Sequence, residues 1–191
     1  MICILKYNAG NVQSVTYALQ RLGVEVALTD DIELLSKADK IIFPGVGEAS
    51  TTMAYLKERN LDKFIKEVKQ PLLGICLGMQ LLCKNSEENN TDCIGVFDVN
   101  VKLFPPKEKV PHIGWNTLQE LKTQLFMGLQ NPDVYFVHSF YAEQNNFEIA
   151  TCNYILSFAA ALQKDNFYAV QFHPEKSGDA GSKILENFLN L

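Results

Sequence analysis

This sequence has no lysine- or arginine-rich run, no Cys-x-x-Cys pair and no long apolar segment. Seventeen Lys and Arg against 22 Asp and Glu leave a formal charge of -5, so a surface that neutralises nucleic-acid phosphates is not expected. The five cysteines (Cys3, Cys76, Cys83, Cys93 and Cys152) are odd in number and scattered. Such a set argues against a disulfide framework and a structural zinc site, and points to a reducing, cytoplasmic setting. The nine residues from Pro71 to Met79 form the longest stretch without a charged or strongly polar side chain, too short to cross a bilayer. The first eight residues offer neither a basic leader nor an apolar core of sufficient length, so no secretory signal is expected. What is present is ordinary globular material. The 191 residues, 47% hydrophobic, suffice for one packed core and predict a single domain over 1–191.

The first half alternates strand and helix patterns. Apolar runs at Ile2 to Leu5, Val24 to Leu28, Ile41 to Phe43 and Leu72 to Ile75 read as strands. Between them, Val12, Val15, Leu19 and Leu22 fall at helical spacing, with Gly23 where a C-cap belongs. A polar helix is predicted from about Ser50 to Lys69, broken near Asn60, and another from Leu77 to Cys83. Short apolar strands alternating with helices specify an α/β fold, a doubly wound and mostly parallel sheet. From Cys93 to about Tyr168 the pattern turns to strand and turn, with hairpin turns expected at Asn145-Asn146 and Asp165-Asn166. This is the antiparallel addition. Asn85 to Thr91 reads as a polar loop, and a last helix is expected from about Gly181 to Leu191.

Three short segments carry chemistry. Gly74-Ile75-Cys76-Leu77-Gly78 places a thiol where a strand turns sharply into a helix. A nucleophile on so tight a turn is pushed out at the carboxyl edge of the sheet, beside free helix N–H groups. Alone, the segment reads equally well as a buried structural cysteine. His173-Pro174-Glu175 ends a strand pattern, and residues i and i+2 of an extended chain share a side, so Glu175 can hold the imidazole of His173. Cys, His and an acid supply nucleophile, base and orienter. The third segment, Pro44-Gly45-Val46-Gly47, follows a predicted strand at the same edge and can turn an N–H toward an oxyanion, or be a plain turn.

Gly74-Ile-Cys-Leu-Gly-Met-Gln80 together with Phe172-His-Pro-Glu175 resembles the class I glutamine amidotransferases, whose flavodoxin-like domain matches the α/β reading. More narrowly, Tyr7-Asn-Ala-Gly-Asn11, Val110-Pro-His-Ile-Gly-Trp-Asn116, Tyr135-Phe-Val-His-Ser139 and His173-Pro-Glu-Lys-Ser177 resemble the glutaminase subunits of imidazole glycerol phosphate synthases. The resemblance implies that Cys76 attacks the side-chain amide of glutamine while His173, oriented by Glu175, relays protons. It implies oxyanion donors at Leu77 and the Val46-Gly47 loop, and glutamine contacts at Gly47, Gln80, Glu88, Ser139 and Phe140. It also implies a heterodimer with a cyclase partner, a β/α barrel, with Asn11, Trp115, Tyr135 and Lys176 near the interface. No cofactor and no metal is implied.

Alternatives remain at this level. A paralogous subunit could feed a different barrel, as in surface-sugar amidation; a non-catalytic module of the same fold would have a broken triad; a cysteine hydrolase would not need the Trp115 block. By themselves Trp115 and Tyr135 read as core aromatics and Lys176 as a solvated lysine. Cys3, Cys83, Cys93 and Cys152 read as packing thiols, and His112 and His138 as hydrogen-bonded structural histidines. A glutaminase occupying all of 1–191 leaves no acceptor domain for ammonia, so a partner is expected.

Overall fold

The computed structural model describes residues 1–7 and 12–191. The elements are β1 (Ile2–Leu5), α1 (Val12–Arg21), β2 (Val26–Thr29), α2 (Ile32–Ser36), β3 (Lys40–Phe43), α3 (Ala49–Glu58), α4 (Leu61–Glu67), β4 (Leu72–Ile75) and α5 (Leu77–Leu82). There follow β5 (Asn85–Ser86), β6 (Thr91–Asp92), β7 (Asn100–Leu103), β8 (His112–Thr117), β9 (Asp133–His138), β10 (Phe140–Ala142), β11 (Glu148–Asn153), β12 (Ser157–Lys164), β13 (Phe167–Val170) and α6 (Gly178–Leu189).

The main sheet runs β2-β1-β3-β4-β13-β12-β10-β7-β5-β6, with β11 paired to β12. The block from β2 to β13 is parallel, and the β13-β12, β12-β10 and β10-β7 pairs are antiparallel. The parallel strands are apolar on both faces because both are covered. Cys3, Leu5, Ile41, Phe43 and Leu72 join one core with residues of α3, α4 and α5, such as Met53, Leu61 and Leu82. Their neighbours Ile2, Ile4, Ile42, Leu73 and Ile75 join the other core with residues of α1 and α6, such as Leu19 and Phe188. This is the period-two alternation of a doubly wound sheet. Among the described residues no helix is long and apolar enough to cross a membrane.

The polar helix breaks where expected, at Asn60, which takes a left-handed φ of 57°. Asp165-Asn166 joins β12 to β13 as a two-residue hairpin turn. Three expectations need correction. The segment from Asn85 to Thr91 is not a plain loop, because β5 and β6 pair there through Asn85↔Asp92 and Ser86↔Thr91. Asn145-Asn146 turns the chain without making a hairpin: β10 pairs with β7 and β12, whereas β11 pairs with β12. Here Asn145 accepts from the Phe147 N–H at 2.8 Å, a local turn that propensity detects without revealing the strand partner. The short helix α2 has no counterpart in the expected pattern, although Asp31 caps it by accepting from the Glu33 N–H at 2.8 Å.

Pairing in parallel brings the carboxyl ends of β3, β4 and β13 to one edge. From β3 emerges the Pro44–Gly47 loop, from β4 the elbow at Cys76, and from β13 the segment leading to His173. Cys76 sits at φ 53° and ψ -110°, a strained conformation for a residue with a side chain. It is over-determined by its surroundings: its N–H donates to the Val170 carbonyl at 2.8 Å, and α5 behind it is entirely buried. Gly78 makes the turn possible, since a Cβ there would lie 2.0 Å from the Phe43 carbonyl oxygen.

Gly78→Ala should therefore lower unfolding free energy by about 3 kcal/mol or more in urea titration, because a backbone atom must move. Gly47→Ala meets nothing within 4 Å and bears only the strain of φ 129°, so it should cost roughly 1–3 kcal/mol. Equal losses in the two variants would contradict this account of the elbow.

Candidate active site

Cys76 and His173 face one cavity of about 320 Å³, room enough for a free amino acid. His173 is buried, and its Nδ1 lies 2.8 Å from Glu175 Oε1, so Nδ1 carries the hydrogen and Nε2 is left for Cys76. The expected extended geometry is corrected here. Pro174–Lys176 form a 3₁₀ turn, begun by the fixed φ of Pro174 and closed by the Lys176 N–H donating to the His173 carbonyl at 3.0 Å. The turn, rather than a pleat, swings Glu175 back onto the imidazole. Burial by itself depresses His173, but its hydrogen bonds to Cys76 and Glu175 and their charges outweigh it and raise the imidazole to about 10.

The same cavity is lined by Val46, Gly47, Leu77, Gln80, Glu88, Ser139, Phe140 and Lys176. All the residues expected to touch glutamine or its oxyanion are thus gathered in one place. Glu88 is half-buried, with Oε2 accepting from the Ala49 N–H at 2.7 Å. Burial raises its carboxyl, the Ala49 N–H pulls it back, and neighbouring Glu48 pushes it up again. Gln80 reaches inward, its Nε2 donating to the Phe140 carbonyl and to Gln171 Oε1, each at 3.0 Å. The Leu77 N–H is not presented to the cavity. It donates to the Gly45 carbonyl at 3.3 Å, which satisfies the first orphan donor of the short α5 helix.

β8 and β9 form a separate two-stranded ribbon beside this site, with Trp115 opposite Tyr135 and their rings edge-on at 5.9 Å. Trp115 is 58% exposed and Ile113 54%, so the ribbon's outer face is not core. The reading of Trp115 as a core aromatic is overturned by that exposure. The ribbon is tied to the His173 turn: the His173 N–H donates to the Tyr135 carbonyl at 2.9 Å, and the Tyr135 N–H to Ser177 Oγ at 2.9 Å. Lys176 is exposed at the cavity mouth. Asn11 lies outside the described residues.

On the ribbon's inner face His112 and His138 are buried and hydrogen-bonded, Nδ1 of the first to Nε2 of the second at 3.0 Å. Burial holds His112 down at about 4 and, with the charges of His112 and His173 adding to it, holds His138 down at about 3. Cys83, Cys93 and Cys152 have thiols raised by burial, the last two to about 12, and Cys3 is raised for the same reason. Sequence reasoning missed Gln171, fully buried, whose Nε2 lies 3.7 Å from Cys76 Sγ. The available signal was one amide side chain inside an otherwise apolar strand end. Among the described residues no group of three or more His, Cys, Asp or Glu could hold a metal ion.

A family model described as glutamine amidotransferase class-I matches residues 4–191. Among curated proteins, the imidazole glycerol phosphate synthase subunit HisH of Bacteroides fragilis strain YCH46 is 60% identical, covering 100% of this chain and 99% of that protein. The subunits of the same description from Bacteroides thetaiotaomicron and Vibrio vulnificus strain YJ016 are 57% and 44% identical, each aligned over 100% of this chain and over 99% and 98% of their own lengths. Solved structures share the fold. A protein from Thermoplasma acidophilum, described as a putative GMP synthase component, superposes with TM-score 0.75 at 22% identity, over 100% of this chain and 92% of its own. Another, described as a glutamine amidotransferase, gives TM-score 0.76 at 21% identity, over 99% and 97%.

The neutral His112–His138 pair has a stability consequence. Both histidines bind protons near pH 6.5 when unfolded and only near 4 and 3 when folded. Their contribution is complete above about pH 6.5 and is lost progressively as pH falls from there through 4 and 3. His173 acts with the opposite sign and offsets part of this. Urea unfolding at pH 7 and pH 5 should show the parent losing roughly 2–4 kcal/mol more than a His112→Asn, His138→Gln variant. Equal losses would mean the pair is not held neutral.

Proposed function

Because the chain belongs to the class I glutamine amidotransferase family, we propose that it is the glutaminase subunit of an imidazole glycerol phosphate synthase, releasing ammonia from glutamine for histidine biosynthesis. The observation that carries the chemistry is one cavity shared by an elbow thiol and a buried imidazole already bonded to a carboxylate. All of 1–191 serves as one glutaminase domain.

In this reading Cys76 passes its S–H proton to His173 Nε2 while Sγ attacks the side-chain amide carbon of glutamine, forming a C–S bond as the carbonyl electron pair moves onto oxygen. Collapse of the adduct expels ammonia, whose leaving nitrogen takes a proton from His173. An imidazole raised to about 10 keeps that proton at neutral pH, which suits it to the role of donor. Water then gives a proton to His173 and adds to the thioester carbonyl; the C–S bond breaks to release glutamate, and the sulfur takes the proton back from His173 to restore the thiol. The Leu77 N–H and one from the Val46-Gly47 peptide hold the oxyanion, once the Gly45 carbonyl has turned off Leu77. Glu88 attracts the α-ammonium of glutamine, and Gly47, Gln80, Ser139 and Phe140 complete the wall around it.

The partner is the cyclase, a β/α barrel, joined in a cytoplasmic heterodimer that passes ammonia through a sheltered channel. Trp115, Tyr135 and Lys176 form the edge that meets it, and the resemblance assigns Asn11 to the same interface. Exposed Trp115 beside exposed Ile113 supports this, since large apolar side chains clustered on a surface mark a covered face.

Glutamate release should be slow for the chain alone and rise at least about tenfold when the cyclase and its ribonucleotide substrate are added. In that complex Cys76→Ala should lose about 10³-fold or more of kcat. An electrophilic glutamine analogue should label Cys76. Rapid turnover independent of any partner would overturn the subunit reading, and full activity in Cys76→Ala would overturn the nucleophile.

A further inference from the structure

We propose that Gln171 is a further catalytic residue: its carboxamide donates a hydrogen bond to Cys76 Sγ, and the Phe140 carbonyl, which can only accept, fixes that direction through Gln80. The proposal rests on the reading of Cys76 as the nucleophile.

The direction follows from a single carbonyl. The Phe140 carbonyl can only accept, so His138 Nδ1, 2.7 Å away, carries the hydrogen. The buried ring is neutral, so Nε2 is an acceptor, and His112 Nδ1, 3.0 Å from it, must donate. His112 Nε2 then accepts from the Asn116 amide at 3.4 Å, which completes a consistent set of tautomers. The same Phe140 carbonyl draws the nitrogen end of Gln80 to 3.0 Å. The second N–H of Gln80 meets Gln171 Oε1 at 3.0 Å. With its oxygen so occupied, Gln171 can turn only its Nε2 toward Cys76 Sγ, at 3.7 Å. Reversing either amide would set two oxygens, or an amide N–H and an N–H, against each other in a buried space.

A fixed N–H beside the sulfur favours its anionic form and holds it toward the cavity without adding a titrating charge. His173 approaches through the other partner contact of the thiol, and the Val137 carbonyl lies 3.8 Å away as an alternative acceptor for S–H. Gln171 therefore biases the sulfur toward release of its proton, while His173 receives it.

The test is alkylation of Cys76 by iodoacetamide, in which the sulfur displaces iodide, followed by mass spectrometry of the peptide containing Cys76. In the full chain, Gln171→Met should slow alkylation about tenfold and move its pH profile to higher pH by about one unit. In the complex with the cyclase, kcat for glutamine should fall by a similar factor and KM should change less. Gln171→Glu keeps the acceptor for Gln80 but sets a carboxylate oxygen against the sulfur. It should be slower still at neutral pH and recover as pH falls and the carboxyl becomes a donor. A folded Gln171→Met chain alkylated at the parental rate, with an unmoved profile, would overturn the proposal. Should that variant not fold, the side-chain amide ¹⁵N–¹H resonances of Gln171 in the parent decide it. They should shift as Cys76 titrates and stay fixed in Cys76→Ala, and an unresponsive amide would overturn it equally. If the complex releases no glutamate from glutamine, the glutaminase reading fails while the alkylation profile still decides the role of Gln171.

Discussion

The pairing of β4 with β13 is the constraint on which the site depends. Ile75 stands opposite Val170 in a parallel register, and the Cys76 N–H is fastened to the Val170 carbonyl at 2.8 Å. Residues far apart in the chain thereby leave the sheet side by side and in the same direction. One residue of slip would carry the side chains of β13 to the opposite face and part the imidazole from the thiol. β12 and β13 are joined by a two-residue turn, so the register is set by local geometry on one side and by the parallel core on the other.

Much of this frame is legible in the sequence because parallel strands covered on both faces appear as unbroken apolar runs, as at Ile41 to Phe43 and Leu72 to Ile75. The helices α1 and α6 show themselves through one-sided spacing, and Gly23 marks the end of the first. The second half is harder to read. β11 pairs with β12 across two register shifts, and a turn signal such as Asn145 does not say which strand comes next. The site residues on motifs were legible because an elbow and a strand end have chemical requirements of their own. Gln171 was not, because a buried amide acquires its meaning only from Gln80 and Cys76, which are distant in the chain. The exposure of Trp115 was hidden for a similar reason, since whether an aromatic is covered is decided by layers that local sequence does not describe.

The ribbon of β8 and β9 joins two parts of the site that are otherwise separate. One strand touches the His173 turn through Tyr135 and carries His138 at its end. Its partner strand supplies His112 on the inner face and Trp115 on the outer. The imidazole of His173 and the amides beside Cys76 thus share one support. The aromatic packing around it, with Phe104 stacked on Tyr141 at 4.6 Å and His112 on Tyr154 at 4.1 Å, leaves the ribbon little freedom to shift on its inner side.

The four cysteines outside the site also define the chain as a reagent would meet it. Burial raises the thiols of Cys93 and Cys152 to about 12, which keeps both in the unreactive thiol form at neutral pH. Cys3 and Cys83 are raised as well and have no exposed surface. In the language of labelling, the fold turns a five-cysteine sequence into something close to a single-cysteine protein. Stoichiometry, rather than mutagenesis, then reads the occupancy of one sulfur.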